Sequence, residues 1–225
     1  MRALPTDNPF EPLAAHRLAT VFQWPEQALR FASGHGDCLH VLGACGMGKT
    51  AVLCMLQAAF AAQGVDASYL TVPLDDASAV QPPPVARVVL LDEADRLSLP
   101  AFRDAVTFLR GQGCRLAVSA HRSRLAPLRR AGYDCLRLRL RRVRDLAVVE
   151  RLLHDRIALA VGSADHPFSL SAETCAAFRR ASRGNVERIL HLGYEVFEDL
   201  KRPRAIAPDD VARAAAALDG ALGSR

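Results

Sequence analysis

The residues best suited to chemistry form one run in the first quarter of the chain, Gly43-Ala44-Cys45-Gly46-Met47-Gly48-Lys49-Thr50. Their spacing is GxxxxGK[ST], the pattern of a phosphate-binding loop. Glycines let the backbone wrap closely, so that successive N–H groups point inward at phosphate oxygens. A helix beginning near Gly48 adds its positive end to the same anion site. In that geometry Lys49 reaches the β- and γ-phosphates, the Thr50 hydroxyl holds Mg²⁺, and the nucleotide-binding stretch runs on to Ala51. With 14 Gly and only two Lys in the chain, a chance match is rare.

A second run, Val88-Val89-Leu90-Leu91-Asp92-Glu93, is four strand-forming apolar residues ending in two acids. In a parallel sheet such a strand delivers its carboxylates to the edge where ligands bind. Asp92 would orient Mg²⁺ through water, and Glu93 would polarise an attacking water.

These residues need a scaffold, and the pattern supplies one. Residues 1–20 read as an extended or irregular arm, because Pro5, Pro9 and Pro12 discourage a long helix. A short helix fits 24–33 and a buried strand 37–44; Lys49–Gln63 has apolar residues at helical spacing. Further strands fit 68–74, 88–91, 115–119 and 134–140, with helices over 99–111 and 124–130 between them. Strands alternating with helices predict a parallel sheet. After about residue 143 the β pattern stops. Leu146, Val149, Leu152, Leu153 and Ile157 form one helical stripe, Ile189 to Leu200 another, and 208–219 a last helix. The expected class is α/β: a five-stranded αβα core over 1–142, arm included, followed by a helical domain over 143–225.

Composition sets the outer limits. The chain has 225 residues, 50% of them apolar and 24% charged, as in globular soluble proteins. No stretch reaches 18 uninterrupted apolar residues, so no membrane partner is expected. The N-terminus lacks the apolar segment of a secretory signal, and the six cysteines show neither a CxxC pair nor zinc spacing. A reduced, cytoplasmic setting is the expectation. The net charge of +5 is unevenly spread, with ten Arg and one acid between Arg115 and Arg144. Such a segment attracts nucleic acid, an acidic partner or nucleotide phosphates.

Taken together, the two motifs and the order of elements resemble the AAA+ ATPases over nearly the whole chain. Asp92-Glu93-Ala94-Asp95-Arg96-Leu97 looks most like the origin-recognition and transposition-regulator branches. It also spells the DEAD of DEAD-box helicases, but those need two RecA-type lobes. The AAA+ resemblance implies binding and Mg²⁺-dependent hydrolysis of ATP, slow and dependent on assembly into a ring or filament. It implies a polar sensor at the end of the fourth strand, here Ser119, with His121 as a substitute. It implies an arginine finger from a neighbouring subunit, for which Arg129 and Arg130 sit after the short helix, with Arg122 and Arg124 earlier. It implies a second sensor arginine on the first turn of a lid helix after Ser182-Arg183-Gly184-Asn185. The usual spacing falls on Glu187, and Arg188 comes one residue later, a rotation of about 100°.

Leu136-Arg137-Leu138-Arg139-Leu140-Arg141 alternates with period two, leucines to the core and arginines outward. It reads either as a nucleic-acid surface or as an edge strand guarded by charge. Two functions stay open: a regulator or loader in a DNA transaction, with double-stranded DNA and a DNA-acting protein as partners, or a protein-binding assembly switch.

Overall fold

The computed structural model describes residues 8–11, 13, 17–18, 21–73, 86–162, 168–200 and 203–223. Most of the arm and the Pro-rich stretch 74–85 lie outside these. Cα packing divides the chain into two units, one centred on 23–141 and one running from 142 onward.

The first unit is a five-stranded, wholly parallel sheet in the order β2-β3-β4-β1-β5. The strands are β1 (Cys38–Leu42), β2 (Ala67–Thr71), β3 (Val88–Asp92), β4 (Arg115–Ala120) and β5 (Cys135–Arg139). β3 is buried along its whole length and β4 from Leu116 onward, as expected where both faces of a parallel sheet are covered. The helices α1 (Glu26–Ala32) and α2 (Lys49–Ala62) cover one face. There Phe31, Leu53, Leu56 and Phe60 pack on Leu39, Val41, Leu90 and Ala117. Phe31 and Phe60 meet edge to face at 5.9 Å. The other face carries α3 (Leu99–Gly111) and α4 (Leu125–Arg130), with Phe102, Val106, Leu109 and Leu128 against Val89, Leu91, Leu116 and Val118. Ser98 starts α3 by accepting the Ala101 N–H. β5 lies at an edge, and Leu138 is buried while Arg137 and Arg139 are exposed, so the alternation holds.

The second unit is helical: α5 (Leu146–Val161), α6 (Ala172–Ser182), α7 (Val186–Glu198) and α8 (Pro208–Gly223). Side chains cap the first three, Asp145 to Ala147 N, Ser171 to Thr174 N and Asn185 to Arg188 N. No sequence pattern predicted α6. Gly184 is obligatory, since a Cβ there would stand 2.3 Å from the Val143 carbonyl and φ is +72°.

The arm departs from expectation. Its described residues 8–11 and 13 pack with the helical unit, whereas 17–18 go with the sheet unit. Phe10 is buried over Gly193 of α7, where a Cβ would come within 2.7 Å of the ring. Asn8 Nδ2 donates to Tyr194 O at 3.0 Å and Glu198 Oε1 at 2.9 Å, and Arg156 donates to Glu11 O. The reason is local: an apolar ring needs burial, and a helix face lacking a side chain at 193 provides the slot.

One buried polar group in the sheet has a consequence for pH. His40 of β1 is 3% exposed, and its Nε2 accepts the Arg124 backbone N–H at 3.3 Å. Burial, then the neighbouring Arg137 charge, lowers its pKa from 6.5 to about 4. The folded state resists a proton that the unfolded chain takes up, so its stabilising effect is complete above pH 6.5 and is lost towards pH 4. The displacement corresponds to roughly 3 kcal/mol. His40→Gln should flatten the dependence of the urea midpoint on pH across that window. An equally steep loss in the variant would assign the acid sensitivity elsewhere.

Candidate functional site

β1 ends at Leu42 and the loop 43–48 carries the chain into α2. At Gly43 the backbone passes close to its neighbours: a Cβ would stand 3.2 Å from Leu140 Cβ and 3.3 Å from Met47 Cβ. Gly46 and Gly48 have φ of 73° and 88°, conformations that L side chains rarely adopt. Gly48 stands at the helix N-terminus with no side chain to cap it, so the first-turn N–H groups face the loop. Lys49 is 5% exposed; its Nζ lies 3.3 Å from Ala44 O and 3.4 Å from His121 Nδ1.

The strand order puts β4 between β1 and β3, yet the C-terminal ends of all three converge. Thr50 Oγ1 donates to Asp92 Oδ2 at 2.8 Å, and Tyr69 of β2 donates to the same oxygen at 2.7 Å. The other oxygen, Oδ1, accepts the Glu93 N–H at 3.0 Å and the Ser119 hydroxyl. Asp92 is 2% exposed, so four donors replace the water that its charge has lost. Burial, then the bond to Asp92, pushes the Tyr69 phenol well above its ordinary pKa, which keeps it a donor. Burial also raises the thiol of neighbouring Cys54.

Glu93 follows with φ 56° and ψ 39°, a left-handed conformation rare for a residue with a side chain. Such strain costs on the order of 1–3 kcal/mol and persists where the surroundings over-determine it. Here the Glu93 N–H is gripped by Asp92 Oδ1 and, at 3.1 Å, by Ser119 Oγ. The turn sends the Glu93 carboxylate to His121 Nε2 at 3.2 Å and Arg96 Nε at 3.7 Å. Asp95, in the short 3₁₀ turn Ala94–Arg96, accepts the His121 backbone N–H at 2.9 Å.

Lys49, Thr50, Asp92, Glu93 and Ser119 are therefore brought together. Ser119 is wholly buried, and its one proton goes to Asp92, so it braces the acidic pair. His121 is the residue whose side chain touches both Lys49 and Glu93. Arg129 and Arg130 are exposed at the end of α4 and make no ion pair among the described residues. Arg124 turns inward instead, donating to Asp95 O at 3.2 Å and Leu97 O at 2.8 Å. Arg188 is engaged inside the helical unit, with Ala181 O at 3.1 Å and an ion pair to Asp219 of α8. Sequence reasoning missed Tyr69, which sits in an ordinary-looking strand pattern, Ala67-Ser68-Tyr69-Leu70-Thr71.

No family model matches the chain, and no curated protein is similar to it in sequence. Solved structures are similar in fold. Domain III of the replication initiation protein DnaA of Thermotoga maritima superposes with a TM-score of 0.63 at 11% identity, over 91% of this chain and 96% of that one. A Walker-type ATPase of Pyrococcus abyssi gives 0.59 at 11% identity, over 95% of this chain and 77% of that one. A replication initiator DnaA bound to AMPPCP and single-stranded DNA gives 0.53 at 14% identity, over 80% of this chain and 63% of that one. The chain has the AAA+ P-loop ATPase fold.

The Tyr69–Asp92 bond is testable by stability alone. Tyr69→Phe removes one donor from a buried carboxylate, which should cost about 1.5–3 kcal/mol in urea denaturation. An unchanged midpoint would mean that the other three donors satisfy Asp92 without it.

Proposed function

We propose that the protein is a Mg²⁺-dependent ATPase of the AAA+ kind whose turnover belongs to an assembly and drives a switch in a DNA transaction. The observation that carries this reading is the convergence of Lys49, Thr50, Asp92 and Glu93 at one edge of the sheet, with Thr50 Oγ1 2.8 Å from Asp92. The loop N–H groups from Gly43 to Ala51 and the Lys49 ammonium hold the phosphates. The hydroxyl and carboxylate oxygens of Thr50 and Asp92 are the hard donors that Mg²⁺ prefers. When bound, Mg²⁺ neutralises charge on the β- and γ-phosphate oxygens.

Glu93 takes a proton from the water whose oxygen attacks the γ-phosphorus, while the bond to the β–γ bridging oxygen breaks and ADP leaves. Ser119 acts through Asp92 and the Glu93 N–H. Since Arg188 is tied to Asp219, a second cation at the γ-phosphate comes from Arg129 or Arg130 of a neighbouring copy in a ring or filament. Residues 143–225 serve as the lid, whose helices respond to the nucleotide.

The DNA role is supported by charge. In the sheet unit Arg122, Arg129, Arg130, Arg137, Arg139 and Arg141 are all exposed. A protein-binding switch using the same arginines for self-assembly is the competing reading. Affinity for random duplex and for single strands, measured against salt in ATP and in ADP, separates them. A salt-independent or undetectable affinity would favour the protein-binding switch.

Three sets of variants test the chemistry. Lys49→Ala should abolish detectable ATP binding in calorimetry, because it removes a charge-assisted contact. Glu93→Gln should bind ATP but turn over roughly 10²–10⁴-fold more slowly. Turnover per subunit should climb with protein concentration, and Arg129→Ala/Arg130→Ala together should lose that climb, a finger being worth about 10³–10⁵ in rate. Mixing the double variant with Lys49→Ala protein should partly restore hydrolysis. Flat specific activity on dilution, with no rescue, would place a complete site in one chain.

A further inference from the structure

The ring of His121 stands between two residues that the proposed reaction uses. Its Nδ1 lies 3.4 Å from the Lys49 ammonium and its Nε2 lies 3.2 Å from Glu93 Oε2. An ammonium has three protons to give and no lone pair to offer. Nδ1 must therefore accept, and a ring that accepts there carries its N–H on Nε2, aimed at Glu93. Arg96 Nε approaches the same Glu93 oxygen at 3.7 Å, so Oε2 is held and Oε1 is left to take a proton. The stem of the ring is fixed as well, since the His121 backbone N–H donates to Asp95 Oδ1 at 2.9 Å.

We propose that His121 is a positioning residue: Lys49 sets its tautomer, and the resulting Nε2–H holds the Glu93 carboxylate in the orientation that hydrolysis needs. The inference rests on the ATPase reading above and extends it. Lys49 thereby serves the phosphates and the general base together. One of its protons goes to Ala44 O at 3.3 Å and one to His121, which leaves a third for a phosphate oxygen.

A cation site is the other reading of this cluster, because ligand atoms of Glu93, Asp95 and His121 lie within 4.8 Å of one another. The surroundings decide against it. A metal-bound histidine presents its second N–H to an acceptor, whereas the second nitrogen here faces a donor. Lys49 and Arg96 also place two positive charges against the same groups.

Three substitutions separate positioning from packing. The amide of His121→Gln reaches about as far as Nε2 and donates whatever Lys49 does. His121→Asn reaches only to the place of Nδ1, and His121→Ala reaches neither. His121→Ala and His121→Asn should lower kcat about 10- to 100-fold with ATP affinity unchanged, the scale of a base misplaced by about 1 Å. His121→Gln should recover most of that loss.

Imidazole ¹⁵N spectra at pH 8, assigned by difference from His121→Asn, give a second readout that needs no turnover. The parent protein should show the Nε2–H tautomer, and Lys49→Ala should shift it towards a mixture. An Nδ1–H tautomer in the parent overturns the proposal. So does a His121→Ala protein at full kcat beside an inactive Glu93→Gln, or a Gln variant as slow as the Ala variant. A parent protein without ATP turnover sinks the ATPase reading and the positioning role that rests on it. The spectra still decide in that case whether Lys49 sets the tautomer.

Discussion

A carboxylate at 2% exposure is the constraint around which the site is organised. An isolated buried charge is prohibitively costly, and what makes Asp92 tolerable is a full set of donors. Tyr69 comes from β2, Thr50 from α2, Ser119 from β4, and the fourth is the N–H of the next residue. Satisfying one side chain thus fixes three strands and a helix at the same edge. All four donors are neutral, so the charge is solvated by dipoles and not cancelled. The one lysine nearby is turned to Ala44 and His121 instead.

Asp92 and Glu93 are adjacent in sequence but stand in different environments, and unlike surroundings are how two like groups acquire unlike tasks. A strand would point consecutive side chains to opposite faces. The left-handed backbone at Glu93 breaks that alternation and turns its carboxylate to His121 and Arg96. The strain is held by Asp92 and Ser119 through the Glu93 N–H. Ser119 therefore matters to Glu93 by shaping the backbone beneath it.

Elements with strong periodicity were legible from sequence, and for a physical reason. β1, β3 and β4 are buried on both faces and read as apolar runs, while α2 repeats Val52, Leu53, Leu56 and Phe60. α6 escaped notice because its buried positions are small or polar (Thr174, Cys175, Ala177, Ser182) and Phe178 is its only large apolar one. The arm was assigned to the sheet unit because nothing local in its sequence records Gly193, more than 180 residues away. Tyr69 was opaque for the same reason, and His121, legible as a substitute for Ser119, gave no sign of its contacts with Lys49 and Glu93. His121 lies 72 residues from Lys49 and 28 from Glu93, and only the sheet order joins them. The loop motif and the acidic pair could be read because their chemistry is written in consecutive residues.

The arginine-rich composition means less than its net charge suggests. Several arginines work as apolar-stacking, carbonyl-binding side chains: Arg115 lies 4.3 Å over the Phe31 ring and donates to Phe31 O. Arg124 lies 5.3 Å over Phe102 and grips two carbonyls of the turn after Glu93, and Arg156 lies 5.8 Å over Phe10 while donating to Glu11 O. A planar, weakly hydrated guanidinium suits such places, and an ammonium does not. The reverse holds at position 49. There the cation aims separate protons at Ala44 O and His121, which suits a compact three-proton group better than a rigid fork. One of only two lysines in a chain with 27 arginines stands at this position. The arginines of the sheet unit that stay exposed include Arg122, Arg129, Arg130, Arg137, Arg139 and Arg141, and their spacing, more than the net charge of +5, is what an anionic partner of the kind proposed above would read.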